Sequence, residues 1–214
     1  MQSHVSFPLL LIEDQKARLG RLQALFALAC NSITPTVRDA RCWNRVALHH
    51  LVYRQLRAEF PELGSQMACN AIYSVCRAAR SVYHNPDSPW RSLVGENKAL
   101  PLLKFREDAP VYFDRHTLSL KAGRLSMFTL DGRMKFDAHL SSGGVDIFLG
   151  QKLKEIILVK SQGVFKLNFS FGDMDLEDVD SIPDHIIIED PSVELLDGRR
   201  AAGKGLKSSR VAVL

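Results

Sequence analysis

The densest group of side chains that could bind a metal ion lies in the last quarter of the sequence. Five acids occur close together there: Asp173, Asp175, Glu177, Asp178 and Asp180. Mg²⁺ is usually held by one or two carboxylates on rigid elements, with substrate phosphates completing its octahedron. Because no apolar periodicity surrounds these acids, we expect a solvated acidic linker, and we predict neither a metal site nor a cofactor.

The histidines and cysteines lack the spacing of a zinc site. The four cysteines are separated by 12, 27 and 7 positions, which fits neither a zinc ribbon nor a thioredoxin-like pair. We therefore expect free thiols in a reducing cytoplasm. His49-His50 has no ligand partners at zinc spacing. No glycine-rich phosphate loop or nucleophile motif is present in the sequence either.

The distribution of charge favours a polyanionic partner. Residues 1–170 contain 23 basic and 14 acidic side chains, a net charge of +9. Residues 171–197 contain ten acids and no base, whereas residues 198–214 contain five bases and no acid. A body of this charge suits nucleic acid, and the acidic stretch would repel it.

Helical periodicity dominates the first half. Apolar residues recur at spacings of three and four over 14–30, 43–60 and 65–83, and we expect Pro35 to end the first helix. In the third helix, Asn70, Ser74, Arg77 and Ser81 fall opposite the apolar stripe, which predicts a solvent-facing side.

From Pro110 onward the period changes to two, which predicts strands. Turn signals occur at Ala122-Gly123, Asp131-Gly132 and Gln162-Gly163, so we expect consecutive hairpins in an antiparallel sheet or small barrel. No apolar run is long enough to span a bilayer, and we expect no signal peptide, membrane anchor or membrane partner.

Basic and aromatic residues on these elements form the candidate binding surface. Basic groups beside aromatic rings suit backbone tracking with base stacking. The candidates are His50, Tyr53, Arg54, Arg57, Asn70, Arg77, Arg80, Tyr112, Arg124, Arg133 and Lys135.

Residues spread over 5–171 resemble TnpB, the transposon-encoded RNA-guided nucleases related to type V CRISPR effectors. The segment from Asn44 to Tyr83 resembles the helical recognition region of that family, notably at Leu48-His49, Tyr53, Leu56-Arg57, Phe60-Pro61, Leu63 and Ser65-Gln66-Met67-Ala68. Several segments resemble its wedge domain, an oligonucleotide-binding-like β-barrel: Pro101 to Phe105, Val111-Tyr112-Phe113-Asp114, Leu118-Ser119-Leu120, the hairpin at Asp131-Gly132, and Val164-Phe165-Lys166-Leu167, which resembles its closing strand.

The resemblance implies an α+β protein with a helical recognition bundle, an antiparallel wedge barrel, and a disordered or vestigial tail. Its expected parts are a first wedge strand at 1–12, the helical region at 13–84, a linker at 85–109, the barrel at 110–171, and an acidic then basic tail at 172–214.

The family also implies a RuvC-type nuclease domain that opens on a Gly-x-Asp-x-Gly strand. At the corresponding place Asp190 lacks both glycines, and the sequence ends at Leu214 before further acids or zinc-binding cysteines of the family occur. Two-metal hydrolysis needs several converging carboxylates. We therefore expect no nuclease activity, with Asp190 a vestigial catalytic position and Mg²⁺ required only by the missing domain.

The leading hypothesis is a truncated, cytoplasmic TnpB-like protein that binds structured RNA or DNA, guide-type RNA included, without cleaving it. One alternative is a stand-alone repressor that reads duplex DNA with Gln66 and Asn70 in a helix-turn-helix-like unit. Another is the split amino-terminal subunit of an RNA-guided endonuclease whose nuclease half is encoded separately. A module that binds another protein through its exposed helical face is the remaining alternative.

Overall fold

The computed structural model describes residues 3–95, 98–121, 123–137, 151–172 and 181–189. These residues form four α-helices: α1 (Glu13–Ala40), α2 (Arg45–Glu59), α3 (Gly64–Tyr83) and α4 (Arg91–Gly95). They also form nine strands: β1 (Ser3–Pro8), β2 (Leu102–Phe105), β3 (Val111–Phe113), β4 (Leu118–Lys121), β5 (Arg124–Thr129), β6 (Gly132–Asp137), β7 (Leu153–Ser161), β8 (Val164–Phe171) and β9 (Ile186–Glu189). The predicted α+β class is confirmed.

Helix α1 continues through Pro35, so the prediction that this proline ends the helix was wrong. Proline has no N–H to donate to the carbonyl of Asn31, four residues earlier. The hydroxyl of Thr34 donates to that carbonyl at 3.1 Å instead. Ile33 and Val37, on either side of the proline, are buried. The acceptor therefore stays satisfied, and tertiary packing holds the last turns of the helix.

Helices α2 and α3 pack against each other and against α1. The apolar stripe of α2 is inside as predicted at Leu48, Val52 and Leu56, whereas Leu51, which the pattern also assigns to that stripe, is 55% exposed. Helix α3 is buried on two sides, because its second face packs against β3. The prediction of a solvent-facing side for α3 was therefore wrong.

The strands are antiparallel and form three sheets in the described parts of the chain. The largest has the order β1-β8-β7-β3, and the others are β2-β9 and β4-β5-β6. The predicted hairpin between β7 and β8 is confirmed: Gln162 and Gly163 have φ of 50° and 78°, as a type I′ turn requires. The sheets do not close into a barrel over these residues.

The segment 85–109, which its composition predicts to be a linker, packs against α1. The side chain of Asn31 donates to the carbonyl of Phe105 at 3.0 Å and accepts from its N–H at 2.6 Å. Gln23 donates to the carbonyl of Ala109 at 3.0 Å. Phe105 and Ala109 are both buried. Strand β2 is therefore attached to the helical region on one side.

On its other side β2 pairs with β9, so part of the predicted unstructured tail is an ordered strand. Phe105 lies opposite Ile186, and Leu103 opposite Ile188. Residues 173–180 and 190–214, with the five clustered acids and Asp190, lie outside the described residues. No helix within the described ranges is long and apolar enough to cross a membrane.

Candidate nucleic-acid interface

Two of the predicted binding residues are parts of the interior. Asn70 is 5% exposed and Tyr112 is 8% exposed. The side-chain amide of Asn70 donates to the backbone carbonyl of Tyr112 at 3.1 Å, which joins α3 to β3. These residues position the sheet on the helix, and both are buried in this arrangement.

Arg77 also has a structural position. Its Nη1 donates to Glu155 Oε1 at 2.5 Å, and the hydroxyl of Tyr73 donates to the same oxygen at 3.0 Å. The Glu155 side chain is 9% exposed. The carboxylate therefore depends on Arg77 for its charge partner, contrary to the prediction that Arg77 lies free on a solvent-facing side.

Arg57 bonds to the end of its own helix. Its Nη1 donates to the carbonyl oxygens of Phe60 at 3.4 Å and Pro61 at 3.2 Å. The last carbonyls of a helix lack intrahelical donors, and a cation near them is favourable. Nη1 of Arg57 therefore already donates its hydrogen bonds within the protein.

The outward face of α2 carries the other predicted helical residues. His50 and Arg54 are exposed, and Arg54 makes no ion pair with any residue the structure describes. The ring of Tyr53 stacks on His49 with centroids 4.5 Å apart. This face remains accessible to a ligand.

The strand residues Arg124, Arg133 and Lys135 share the outward face of the β4-β5-β6 sheet, where all three are exposed. In the register, Arg133 lies opposite Phe128, and Lys135 lies opposite Ser126. Arg133 donates to the hydroxyl and carbonyl of Ser126 at 2.9 and 2.8 Å. The structure therefore brings the predicted strand cations together on one face.

The remaining predicted residue, Arg80, lines a groove that the sequence did not indicate. The groove lies where the α1–α2 connection meets the carboxyl end of α3, and its volume is about 1020 Å³. Its lining residues are Ala40, Arg41, Cys42, Trp43, Asn44, Arg80, His84, Asn85, Pro86, Asp87 and Arg91. We call it the basic groove, because it combines three arginines with a single carboxylate, a net charge of +2 with His84 neutral.

Local structure fixes the rim of the basic groove. Arg41 ends α1 in the left-handed conformation, with φ of 48°. Its Nη1 donates to the carbonyl of Val94 at 2.9 Å, which ties the α1–α2 connection to α4. Asn44 caps α2 by accepting from the N–H groups of Val46 and Ala47 at 3.0 and 3.1 Å. The chain between the two helices is therefore held at both ends.

The other wall of the basic groove is formed by the residues that come after α3 in the chain. The N–H groups of His84 and Asn85 both donate to the carbonyl of Arg80, at 2.9 and 3.0 Å. Asn85 Oδ1 accepts from the N–H of Asp87 at 2.9 Å. These bonds turn the chain sharply after α3 and bring Arg91 back to the groove. Arg80 and Arg91 make no ion pair with a described residue.

Trp43 is the aromatic residue of the groove lining, and it packs against the buried ring of Tyr83. Trp43 is half-buried and lies with its ring centroid 5.6 Å from that of Tyr83, at an interplanar angle of 40°. The hydroxyl of Tyr83 donates to the carbonyl of Pro101 at 2.6 Å. Burial raises the pKa of Tyr83 above its ordinary value, so this phenol stays protonated. The tryptophan therefore lies against an anchored ring.

The thiol of Cys76 lies near the same cations. Burial raises its pKa to about 12, while Arg80 and Arg45 oppose the rise and Cys42 adds to it. Arg45 in turn lies over the ring of Tyr73, 5.2 Å from its centroid. Positive charge thus continues from the basic groove to Arg45, at the start of α2.

The basic groove suits an anion with a planar ring. No group of three His, Cys, Asp or Glu side chains within the described ranges is placed to hold an ion. The predicted catalytic position, Asp190, is outside those ranges.

Sequence reasoning missed the groove because Trp43 and Arg91 are 48 positions apart. The local signal was the run Arg41-Cys42-Trp43-Asn44-Arg45, where a tryptophan between two arginines precedes a helix. No protein-family model matches this chain, and no significant match to a curated protein was found.

Proposed function

We propose that this chain binds nucleic acid, with structured RNA as the preferred ligand, and does not cleave it. The observation that carries the proposal is the basic groove, where Arg80 and Arg91 have no carboxylate partner among the described residues and lie beside Trp43. Guanidinium groups bind phosphate, and an aromatic ring stacks on bases. A nucleic acid uses both features together.

Two further surfaces extend the binding area. The outward face of α2 contributes His50 and Arg54, and the β4-β5-β6 sheet contributes Arg124 and Lys135. The excess of positive charge over residues 1–170 would attract a polyanion to any of them. Contacts of this kind read the backbone and shape of a nucleic acid more than its sequence.

The resemblance to TnpB supports RNA over DNA. In this proposal the helices α1 to α3 act as a recognition region, and the strands act as an open form of the wedge barrel, in the cytoplasm. The protein would contact the sugar-phosphate backbone of an RNA scaffold, as RNA-guided effectors do. A separately encoded nuclease half remains a candidate partner.

The repressor alternative is less well supported. Asn70, which it needs as a base-reading residue, is buried against β3. The other reading residue, Gln66, donates to the carboxylate of Asp114. Neither side chain is available to enter a major groove without breaking these bonds.

The test is nucleic-acid affinity measured by filter binding over a range of salt concentrations. The double variant Arg80→Ala and Arg91→Ala should bind structured RNA more weakly. Each lost phosphate contact should reduce the slope of log affinity against log salt by roughly 0.7 to 0.9.

The matched control is Arg115→Ala, which removes an exposed arginine from the turn after β3. The neighbouring Asp114 accepts from Gln66 near the amino-terminal end of α3, about 20 Å of helix from Arg80. The control variant should leave affinity and salt slope close to wild type. If the double variant also kept wild-type affinity and slope, the proposal would be overturned.

A further inference from the structure

We infer that the basic groove holds a single-stranded segment of the nucleic acid, with one unpaired base stacked on Trp43 and the adjacent phosphates on Arg80 and Arg91. This inference rests on the proposed function and specifies which form of nucleic acid the groove accepts. A paired region of the same ligand would contact other surfaces.

The size of the groove fits one or two nucleotides. Its volume of about 1020 Å³ is at the upper end of the range for clefts that enclose a small organic ligand, about 300–1,000 Å³. A duplex presents phosphates on its outside and keeps its base faces stacked within. It could therefore contact the groove arginines, but away from its two ends it could not offer a base face to Trp43.

The position of Trp43 is suited to stacking. Tyr83 lies on one side, 5.6 Å between centroids, and is anchored through its hydroxyl to Pro101. Trp43 keeps part of its surface exposed in the groove. Because the ring is already supported, little conformational entropy needs to be lost when a base stacks on it.

The arginines of the groove have separate roles. Arg41 donates to the backbone carbonyls of Val94 and Lys98, so it holds the rim. Arg80 and Arg91 are the cations left for phosphates, and they reach the groove from the end of α3 and the start of α4. Asp87 is the one carboxylate in the lining. It would repel an anion only in the part of the groove where its own side chain lies.

An acidic peptide would satisfy the arginines but not the tryptophan, since aspartate and glutamate side chains have no ring to stack. The coincidence of cations with a supported aromatic ring favours a single-stranded nucleic acid over such a peptide. The peptide is therefore an alternative outcome of the test.

The test uses tryptophan fluorescence, because the chain has two tryptophans and only Trp43 lines the basic groove. Trp90→Phe leaves Trp43 as the sole reporter, and Trp43→Phe leaves Trp90. Each variant is titrated with a short oligouridylate, with the duplex it forms with oligoadenylate, and with polyglutamate. We expect the single strand to quench Trp43 strongly, the duplex and polyglutamate to quench it little, and Trp90 to respond to none of them.

A second pair of variants separates stacking from packing. Phe and Leu at position 43 both fill apolar space, but only Phe can stack. Trp43→Leu should weaken oligouridylate binding by about 5- to 150-fold, the range for loss of one stacked base. Trp43→Phe should retain most of the affinity, with equal melting temperatures showing that both variants fold.

The outcomes distinguish the two proposals. If structured RNA binds in an Arg80-dependent way but oligouridylate leaves Trp43 unquenched, or duplex quenches it equally, this inference fails and the proposed function stands. If polyglutamate quenches Trp43 and binds as tightly as the oligonucleotide, the groove is a peptide site and the inference fails. If no nucleic acid binds, both fail together.

Discussion

Arg77 Nη1 donates to Glu155 Oε1 at 2.5 Å and so joins the middle of α3 to β7. The pair connects the helical region to the largest sheet beside the bond from Asn70 to the backbone of β3. Both contacts use polar residues on the side of α3 opposite its main apolar stripe. A helix with polar groups on one side can therefore be buried on that side if each group has a partner.

Arg77→Ala should lower the free energy of unfolding by about 1–3 kcal/mol, because it leaves the nearly buried Glu155 without its charge partner. Urea denaturation measures the change. The control Arg54→Ala removes an exposed arginine from α2 and should stay within about 0.5 kcal/mol of wild type. Equal unfolding midpoints for the two variants would show that the ion pair contributes nothing.

Ile186→Ala should destabilise the protein by about 2 kcal/mol, at the low end of the range for buried isoleucine, because the site lies in a two-stranded sheet. Ile186 is 8% exposed and lies opposite Phe105. The neighbouring Ile187 is 46% exposed, so Ile187→Ala should change stability far less. Thermal unfolding compares them, and similar losses from both would argue against a packed β9.

The pH dependence of stability should contain a contribution from His185. Burial lowers its pKa below the ordinary value of 6.5, with Arg106 acting in the same direction and Asp108 and Asp184 opposing. The folded state therefore favours neutral imidazole. The contribution of His185 to the free energy of unfolding is fully present above pH 6.5. It is lost as the pH falls through the folded-state pKa of the imidazole.

His185→Gln should accordingly reduce the loss of stability on going from about pH 7.5 to 5.5. Urea denaturation at both pH values measures the difference. His84→Gln is the control, because His84 is exposed. A wild-type pH dependence in His185→Gln would refute the assignment.

Alkylation should distinguish the four cysteines, which are all free thiols. Cys42 is half-buried and lines the basic groove. Burial raises the pKa of Cys30, Cys69 and Cys76, which keeps them as unreactive thiols near neutral pH. We expect iodoacetamide to label Cys42 first in the native protein, as measured by peptide mass spectrometry.

Bound oligouridylate should protect Cys42, whereas all four cysteines should react in urea with or without it. Labelling of Cys76 at the rate of Cys42 would contradict the burial of α3. Protection of Cys69 but not of Cys42 would place the ligand elsewhere.

Elements whose causes are local could be predicted from the order of the residues alone. The period of 3.6 around Leu48, Val52 and Leu56 sets α2, and the period of two with Gln162-Gly163 sets the β7–β8 hairpin. Side-chain spacing and turn chemistry act over a few residues, so one sequence is enough to read them. The α+β class follows from those elements.

The role of each polar residue depends instead on contacts between distant parts of the chain. The sequence could not show that β3 covers the polar side of α3, because residues 70 and 112 meet only after the chain folds. Nor could it show that β2 pairs with β9 across some eighty positions, or that Trp43 and Arg91 share one groove. Such pairings depend on the summed burial of the whole core, which no local spacing encodes.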